Sequence, residues 1–237
     1  MGQTFYALTP GHLKFIAAQH MFFVATAPLS ATASVNVSPK GYDSFHVLSP
    51  TRVAYVDLTG SGVETISHAR ENGRITIMFI AVDGPPNILR LYGRCTVHLR
   101  GTPGFEESLP QHLQDMVAAR AAIVVDVSRV TSVCGYAVPF YQFVKQRETL
   151  IDHWVRKGES ALEPYHRLKN SKSIDGLPGL WYPWHARWWH AYLRWRSRSS
   201  WDSAVFFCLG MAAGSFIITR PFAERRLGLG FGTISFL

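Results

Sequence analysis

Cysteine is scarce in this chain of 237 residues. Only Cys95, Cys134 and Cys208 occur, odd in number and far apart. That usage excludes a disulfide-stapled scaffold, offers no metal-ligand spacing, and suits reduced thiols in the cytoplasm. Ten histidines are scattered without an HExxH pair, and His185 and His190, five apart, cannot share one helix face. No metal site is expected. There is no Gly-x-Ser-x-Gly elbow and no Ser/His/Asp set, so no catalytic residue can be named. There is neither a P-loop nor a Gly-x-Gly-x-x-Gly fingerprint, which excludes the commonest nucleotide-binding motifs. Residues 1–10 lack the basic start and apolar run of a signal peptide.

Charge is also thin, at 17% of residues against 47% hydrophobic, the balance of a globular chain rather than a disordered one. The net charge of +8 is unevenly placed. From Trp181 onward seven Arg meet two acidic residues, so +5 falls in residues 181–237 and +3 in residues 1–180. Six of the seven Trp lie between Trp181 and Trp201, followed by the uncharged, mostly apolar run Ser203–Thr219. Its 17 residues sit at the short limit for a bilayer span. Flanking aromatic and basic residues match a membrane-interface belt. Membrane contact through residues 181–226 is therefore expected, with a core helix over 203–219 as the alternative; nucleic acid is not expected as a partner.

Most of the first 142 residues read as strands. His20–Ala27, Ala31–Ser38, Ser44–Leu48, Arg52–Leu58, Arg74–Val82, Ile88–Leu99 and Ala121–Val133 are β-prone and separated by turn residues. Glu64–Asn72 reads as a short helix stopped by Asn72-Gly73, and Thr102–Ala119 as helical with a fresh start near Pro110. About seven strands with inserted helices predict a mainly β fold with a closed or partly closed barrel. Phe143–Lys169 reads as a helical extension with Trp154, Leu162 and Leu168 on apolar faces, and a Gly/Pro-punctuated loop runs to Leu180. The expected organisation is thus a barrel domain (1–142), a helical extension and loop (143–180) and a basic aromatic segment (181–237).

The richest stretch is Asp57-Leu58-Thr59-Gly60-Ser61-Gly62-Val63-Glu64-Thr65-Ile66, where a strand passes through small residues into a helix. Gly60 and Gly62 permit a tight turn and close ligand approach. Ser61 or Thr59 is placed to cap the helix, whose first amides then form an anion site suited to phosphate; an ordinary capped turn is the alternative. In Asn36-Val37-Ser38-Pro39-Lys40-Gly41, Asn36 and Ser38 share one strand face, and Lys40 offers a point charge. Arg90 lies between Leu89 and Leu91, either facing outward or reaching the same ligand as the Ser61 turn.

Taken in order, these stretches resemble the pyridoxamine 5'-phosphate oxidase-like flavoproteins. The pattern also takes in Arg70-Glu71-Asn72-Gly73-Arg74-Ile75-Thr76, Gly84-Pro85-Pro86, Leu89-Arg90-Leu91-Tyr92-Gly93-Arg94, Cys134-Gly135-Tyr136-Ala137-Val138-Pro139 and Ser173-Ile174-Asp175-Gly176-Leu177-Pro178-Gly179-Leu180. It covers roughly residues 1–180 and is closest to a branch of unassigned substrate. The resemblance implies an FMN-binding split β-barrel working as a homodimer, with FMN at the subunit interface and FMN-dependent oxidoreductase activity on a small molecule, NAD(P)H being a conceivable electron donor. It implies Asn36, Val37, Ser38 and Lys40 along the flavin ring, and Thr59, Gly60, Ser61, Gly62, Glu64 and Thr65 at the ribityl-phosphate end. Arg90 would stand on the strand beside the ring. Relatives of this pattern carry Asn at the position of Val63 and Arg at that of Asn87, so weaker FMN retention is expected here. The Arg-Gln-Val-Arg strand of the true oxidase is replaced by Asn87-Ile88-Leu89-Arg90, so vitamin B6 is not the expected substrate. The alternatives are a flavin- or haem-binding barrel without turnover, and a deazaflavin-dependent reductase.

Overall fold

The structure, a computed structural model, describes residues 2–180. The segment 181–237, with the apolar run 203–219, lies outside the described residues. No helix among the described residues is long and apolar enough to cross a membrane.

Eight strands form one antiparallel sheet: β1 (Gln3–Phe5), β2 (Phe22–Thr26), β3 (Asn36–Lys40), β4 (Phe45–Ser49), β5 (Arg52–Leu58), β6 (Arg74–Ile80), β7 (Ile88–Leu99) and β8 (Ala119–Val133). Their order is β3-β2-β6-β7-β8-β5-β4, with β1 paired to the far end of β8. Helix α1 (Pro10–Ala17) precedes β2, α2 (Glu64–Glu71) links β5 to β6, and α3 (Pro103–Ser108) and α4 (Gln111–Gln114) link β7 to β8. Helices α5 (Thr149–Lys157) and α6 (Leu162–Lys169) follow the barrel.

The sheet curls until its ends meet. Phe22 on β2 packs against Phe45 on β4, ring centroids 5.3 Å apart, although the two strands stand near opposite ends of the strand order. Tyr55 and Phe79 complete this aromatic centre, each 5.5 Å from Phe22. Strand β3 pairs with β2 and, among the described residues, with no second strand, so one seam stays open. The result is the mainly β split barrel with inserted helices. A second apolar cluster lies outside it, where Phe105, Leu109 and Leu113 of the α3–α4 segment cover Ala54, Val56, Ala122 and Val124. Both faces of β5 and β8 are therefore covered, which is why Val53–Val56 and Ala121–Val125 are apolar without alternation.

Four expectations need correction. The helix expected over Thr102–Ala119 is two short helices that end at Gln114, and Ala119 already belongs to β8. The strand expected at 31–38 lies at Asn36–Lys40. Helix α1 and strand β1 were not foreseen; α1 carries a capping box, in which Thr9 Oγ1 accepts from the His12 amide and His12 Nδ1 from the Thr9 amide. The helix expected from Phe143 begins only at Thr149. Residues 134–148 form an arm instead, whose Tyr141 amide donates to Val82 O and whose Gln146 Nε2 donates to His20 O. Trp154 is buried as expected, whereas Leu168 is exposed.

Truncating the ring of Phe79, which touches both Phe22 and Phe45, removes one side of the aromatic centre where the two sheet ends meet. Phe79→Ala is expected to cost roughly 3–5 kcal/mol of unfolding free energy in urea titration, whereas Val37→Ala on the exposed side of β3 changes it little.

Candidate functional site

The strand-to-helix turn is built from behind. Asp57, inaccessible to solvent at the inner end of β5, receives hydrogen bonds from Arg120 Nε (2.8 Å, to Oδ2) and Lys40 Nζ (3.0 Å, to Oδ1). Arg120 reaches it because the β5–β8 register shifts between Asp57 and Leu58, leaving Arg120 unpaired in the ladder. Its remaining donors go to the turn, Nη1 to Gly60 O (3.4 Å) and Nη2 to Gly62 O (2.8 Å). Buried Asn170 supplies the rest: its Nδ2 donates to Gly60 O (2.9 Å) and Ser61 O (3.2 Å), while its Oδ1 accepts from Arg120 Nη1 (3.0 Å).

This fixes the opposite side of the turn by covalent geometry. In a planar trans peptide the N–H points away from the C=O. The carbonyls of Gly60, Ser61 and Gly62 face Arg120 and Asn170, so the N–H groups of Ser61, Gly62 and Val63 face the other way. None of these three amides has a hydrogen-bond partner among the described residues. They open onto the first turn of α2, where the helix dipole adds partial positive charge. The arrangement suits a phosphoryl oxygen cluster.

The expected cap is not there. Val63 occupies the N-cap position and makes no side-chain cap bond. Thr59 is turned inward, its hydroxyl donating to Ala118 O (2.9 Å) and accepting from His166 Nε2 (2.8 Å). Trp154 Nε1 donates to Thr59 O (2.9 Å). Three residues of the C-terminal extension, Trp154, His166 and Asn170, therefore grip the back of the turn. Gly179 lies so close to Asn170 that a Cβ would overlap the Asn170 carbonyl oxygen, so only glycine fits there. Val63 is buried in the barrel core and faces Gly179, so its apolar side chain takes nothing from the outward side.

The other expected residues divide between two faces. Asn36 and Ser38 do share a face, and they meet the start of α2: Asn36 Nδ2 donates to Thr65 Oγ1 and Thr26 Oγ1 (both 3.1 Å), and Ser38 Oγ donates to Asn36 Oδ1 (3.0 Å). Thr26 Oγ1 lies 3.0 Å from His68 Nδ1, whose buried Nε2 is unpartnered. Lys40 stands beside them but spends its charge on Asp57. Glu64 Oε1 accepts from the Ile174 amide at 3.2 Å, tying the late loop to α2. Gly60, Ser61, Gly62, Glu64, Thr65, Asn36, Ser38 and Lys40 thus surround one turn. Val37 and Arg90 do not join them. Val37 points out from β3, and Arg90 lies on the outer sheet face of β7, three strands from β3; its β8 partner Thr131 is twelve positions along the strand from Ala119, the partner of Leu58 at the turn. Asn87 is likewise distant, its Oδ1 accepting from Ser132 Oγ on β8. Asp57, Arg120, His166 and Asn170 were not singled out as site residues from sequence, and Trp154 only as an apolar helix-face residue; the one visible signal was a lone Arg within the apolar run 118–125.

Burial by itself would raise the Asp57 carboxyl, but Arg120 and Lys40 outweigh it and hold the group at about 2, against an ordinary 3.8. Burial lowers His68 despite neighbouring carboxylates, and lowers His166 with help from the Arg120 charge. The fold therefore resists protonation of both histidines more than the unfolded chain does, which takes up their protons near 6.5. Stability is expected to fall on acidification below pH 6.5 as the unfolded state gains those protons. It falls again between about pH 4 and 2, where the unfolded Asp57 is protonated first; this limb is on the order of 2 kcal/mol. Urea titrations across pH should show both limbs, and Asp57→Asn should abolish the lower one and cost roughly 3–5 kcal/mol at pH 7 by leaving Arg120 buried without a counter-charge.

The sequence profile of pyridoxamine 5'-phosphate oxidase matches residues 8–134. The pyridoxamine 5'-phosphate oxidase family protein ustO of Aspergillus flavus is 40% identical over 180 residues, spanning 68% of this chain and 71% of that protein. Among solved structures, HupZ of Group A Streptococcus is 23% identical with a TM-score of 0.43, covering 52% of this chain and 91% of its own. An FMN-binding protein of Syntrophomonas wolfei is 11% identical with a TM-score of 0.39, covering 55% and 83%. The assignment rests on the two sequence matches: β3, the turn and α2 all fall inside residues 8–134, and the chain belongs to the pyridoxamine 5'-phosphate oxidase family.

Proposed function

We propose that this protein is an FMN-dependent oxidoreductase that holds the cofactor by its phosphate at the outward amides of Ser61, Gly62 and Val63. The observation that carries the reading is the set of three partnerless N–H groups, locked in one direction because their carbonyls are bound from behind. Bound FMN would supply two-electron chemistry at its ring. The chain's own part is to bind and orient. The amides and the exposed Ser61 hydroxyl offer hydrogen bonds to phosphoryl oxygens, and Arg120 and Asn170 keep the amides from rotating away.

The outer face of β3, β2 and β6 suits a second copy of the chain. Val37 is exposed, and Phe23, Ala25, Met78 and Ile80 are only half-buried. Arg90 stands on that same face, within reach of the dimer interface rather than of its own turn. The substrate is a small molecule other than vitamin B6.

A second reading, a flavin-binding barrel without turnover, is favoured by one feature. Lys40 and Arg120 are both committed to Asp57, and the charged group beside Gly62 is the Glu64 carboxylate, whose Oε2 lies 2.7 Å from where a Cβ on that glycine would stand. Affinity for the phosphate then rests on neutral donors alone.

Titration of FMN followed by quenching of its fluorescence tests the site. FMN is expected to bind at least about tenfold more tightly than riboflavin, and Ser61→Pro, which removes one of the three amide donors, should reduce that preference. Equal affinity of the intact protein for FMN and riboflavin would remove the phosphate assignment. Bleaching of bound FMN by NADH or NADPH separates the oxidoreductase from the inert flavin carrier.

A further inference from the structure

A second feature stands at the Lys40 end of β3, away from Asn36 and the start of α2. A cleft of about 410 Å³, open on one side, is lined there by the end of α1, the β3–β4 turn, the end of β6 and the arm 134–148. Its size falls within the range of small-molecule sites. The arm is pinned over it rather than loose. Phe143 stacks on His20 with centroids 3.8 Å apart and planes 16° from parallel, Tyr141 N donates to Val82 O at 2.8 Å, and Gln146 Nε2 donates to His20 O at 3.3 Å. In the β3–β4 turn, Tyr42 adopts φ 63° and Asp43 φ 50°, a left-handed backbone that non-glycine residues rarely hold. Tyr42 lines the cavity through this strained turn.

The lining has a definite chemistry. Tyr42, Tyr141 and Phe143 supply flat apolar walls, and Lys145 and Arg147 stand at the rim with no ion pair among the described residues. Asp83 is the single acidic residue of the lining, and the remaining cation, Lys40, is neutralised by Asp57. The excess is positive, and it faces an aromatic slot.

We propose that this cavity binds the second reactant, an organic molecule with a flat aromatic body and a carboxylate. The body lies against Phe143 and Tyr42, and the carboxylate pairs with Lys145 and Arg147. The proposal rests on the flavoprotein reading in one respect: the flavin ring must lie along β3 for the cavity to adjoin it.

Calorimetric titration of the full-length protein, with FMN added, against 2-naphthoate and its neutral counterpart 2-naphthamide tests this. The carboxylate is expected to bind about five- to tenfold more tightly, the scale of two solvent-exposed charge pairs. Lys145→Ala combined with Arg147→Ala should remove that difference, and Phe143→Ala should weaken both probes. Equal binding of the two probes, or a preference that survives the double substitution, overturns the proposal. So does a Phe143→Ala protein that binds both as before. If 2-naphthoate keeps its preference in protein that takes up no FMN, the cavity stands and the flavin reading falls; if FMN binds and the preference is missing, the reverse holds.

Discussion

A single buried carboxylate organises this molecule. Asp57 is fully enclosed at the inner end of β5, where an ionised group survives only with its charge balanced and its oxygens bonded. Lys40 and Arg120 meet both conditions from opposite sides. Lys40 comes from β3, across the open seam of the barrel, so the ion pair closes by electrostatics what no ladder closes by backbone pairing. Arg120 comes from the register shift in β8 and carries the constraint onward, since its other donors end on the carbonyls of the turn. Such a cluster contributes specificity more than net stability, because desolvation offsets much of the attraction. What it specifies is where the turn sits and which way its peptide planes face.

The C-terminal extension has the same purpose. Residues 149–180 share little with the barrel in pattern, yet Trp154, His166 and Asn170 each place a polar atom on residues 59–61. The late loop is fastened again through the Glu64 contact to Ile174, the Ser67 contact to Leu177 and the Arg70 contact to Gly179. The extension is thus the rear wall of the candidate site. A binding surface made of main-chain amides has no side chains of its own to tune, so its quality depends on how firmly the reverse side is held. In this fold that reverse side is assembled from a strand, a helix pair and a loop far apart in the chain.

Parts of this were legible from residues alone. Strands β5 and β7 fall where the β-branched runs and turn residues put them, and α2 starts at the predicted Glu64 and stops one residue before the predicted Asn72. Asn36 and Ser38 do share a strand face, as a two-residue period requires. Other signals were present but went unread. Thr9-Pro10 followed by His12 is a helix start, yet the reciprocal contact uses a histidine where a Glu or Gln is usual. The cap assigned to Ser61 or Thr59 went wrong for a different reason. Thr59 has the right chemistry, but its hydroxyl finds Ala118 and His166, partners that no local pattern announces. The segment 143–148 has helical composition, but its one aromatic residue, Phe143, stacks on His20 instead of joining a helical turn.

The sequence by itself determined the alternation that makes a mainly β barrel, the glycines that let a strand turn sharply into α2, and an ordered set of motifs specific enough to name the family. Only the tertiary structure decided that Arg120 is aimed inward at Asp57, that Asn170 reaches back across 110 positions to Gly60, that Val63 faces the core, and that Arg90 lies on the opposite face of the sheet from the turn. The reason is physical. Periodicity and turn chemistry act over a few residues and report on faces and ends, whereas the direction of a peptide plane or a buried charge is settled by partners that arrive from distant strands, once the sheet has curled and the solvent has been expelled.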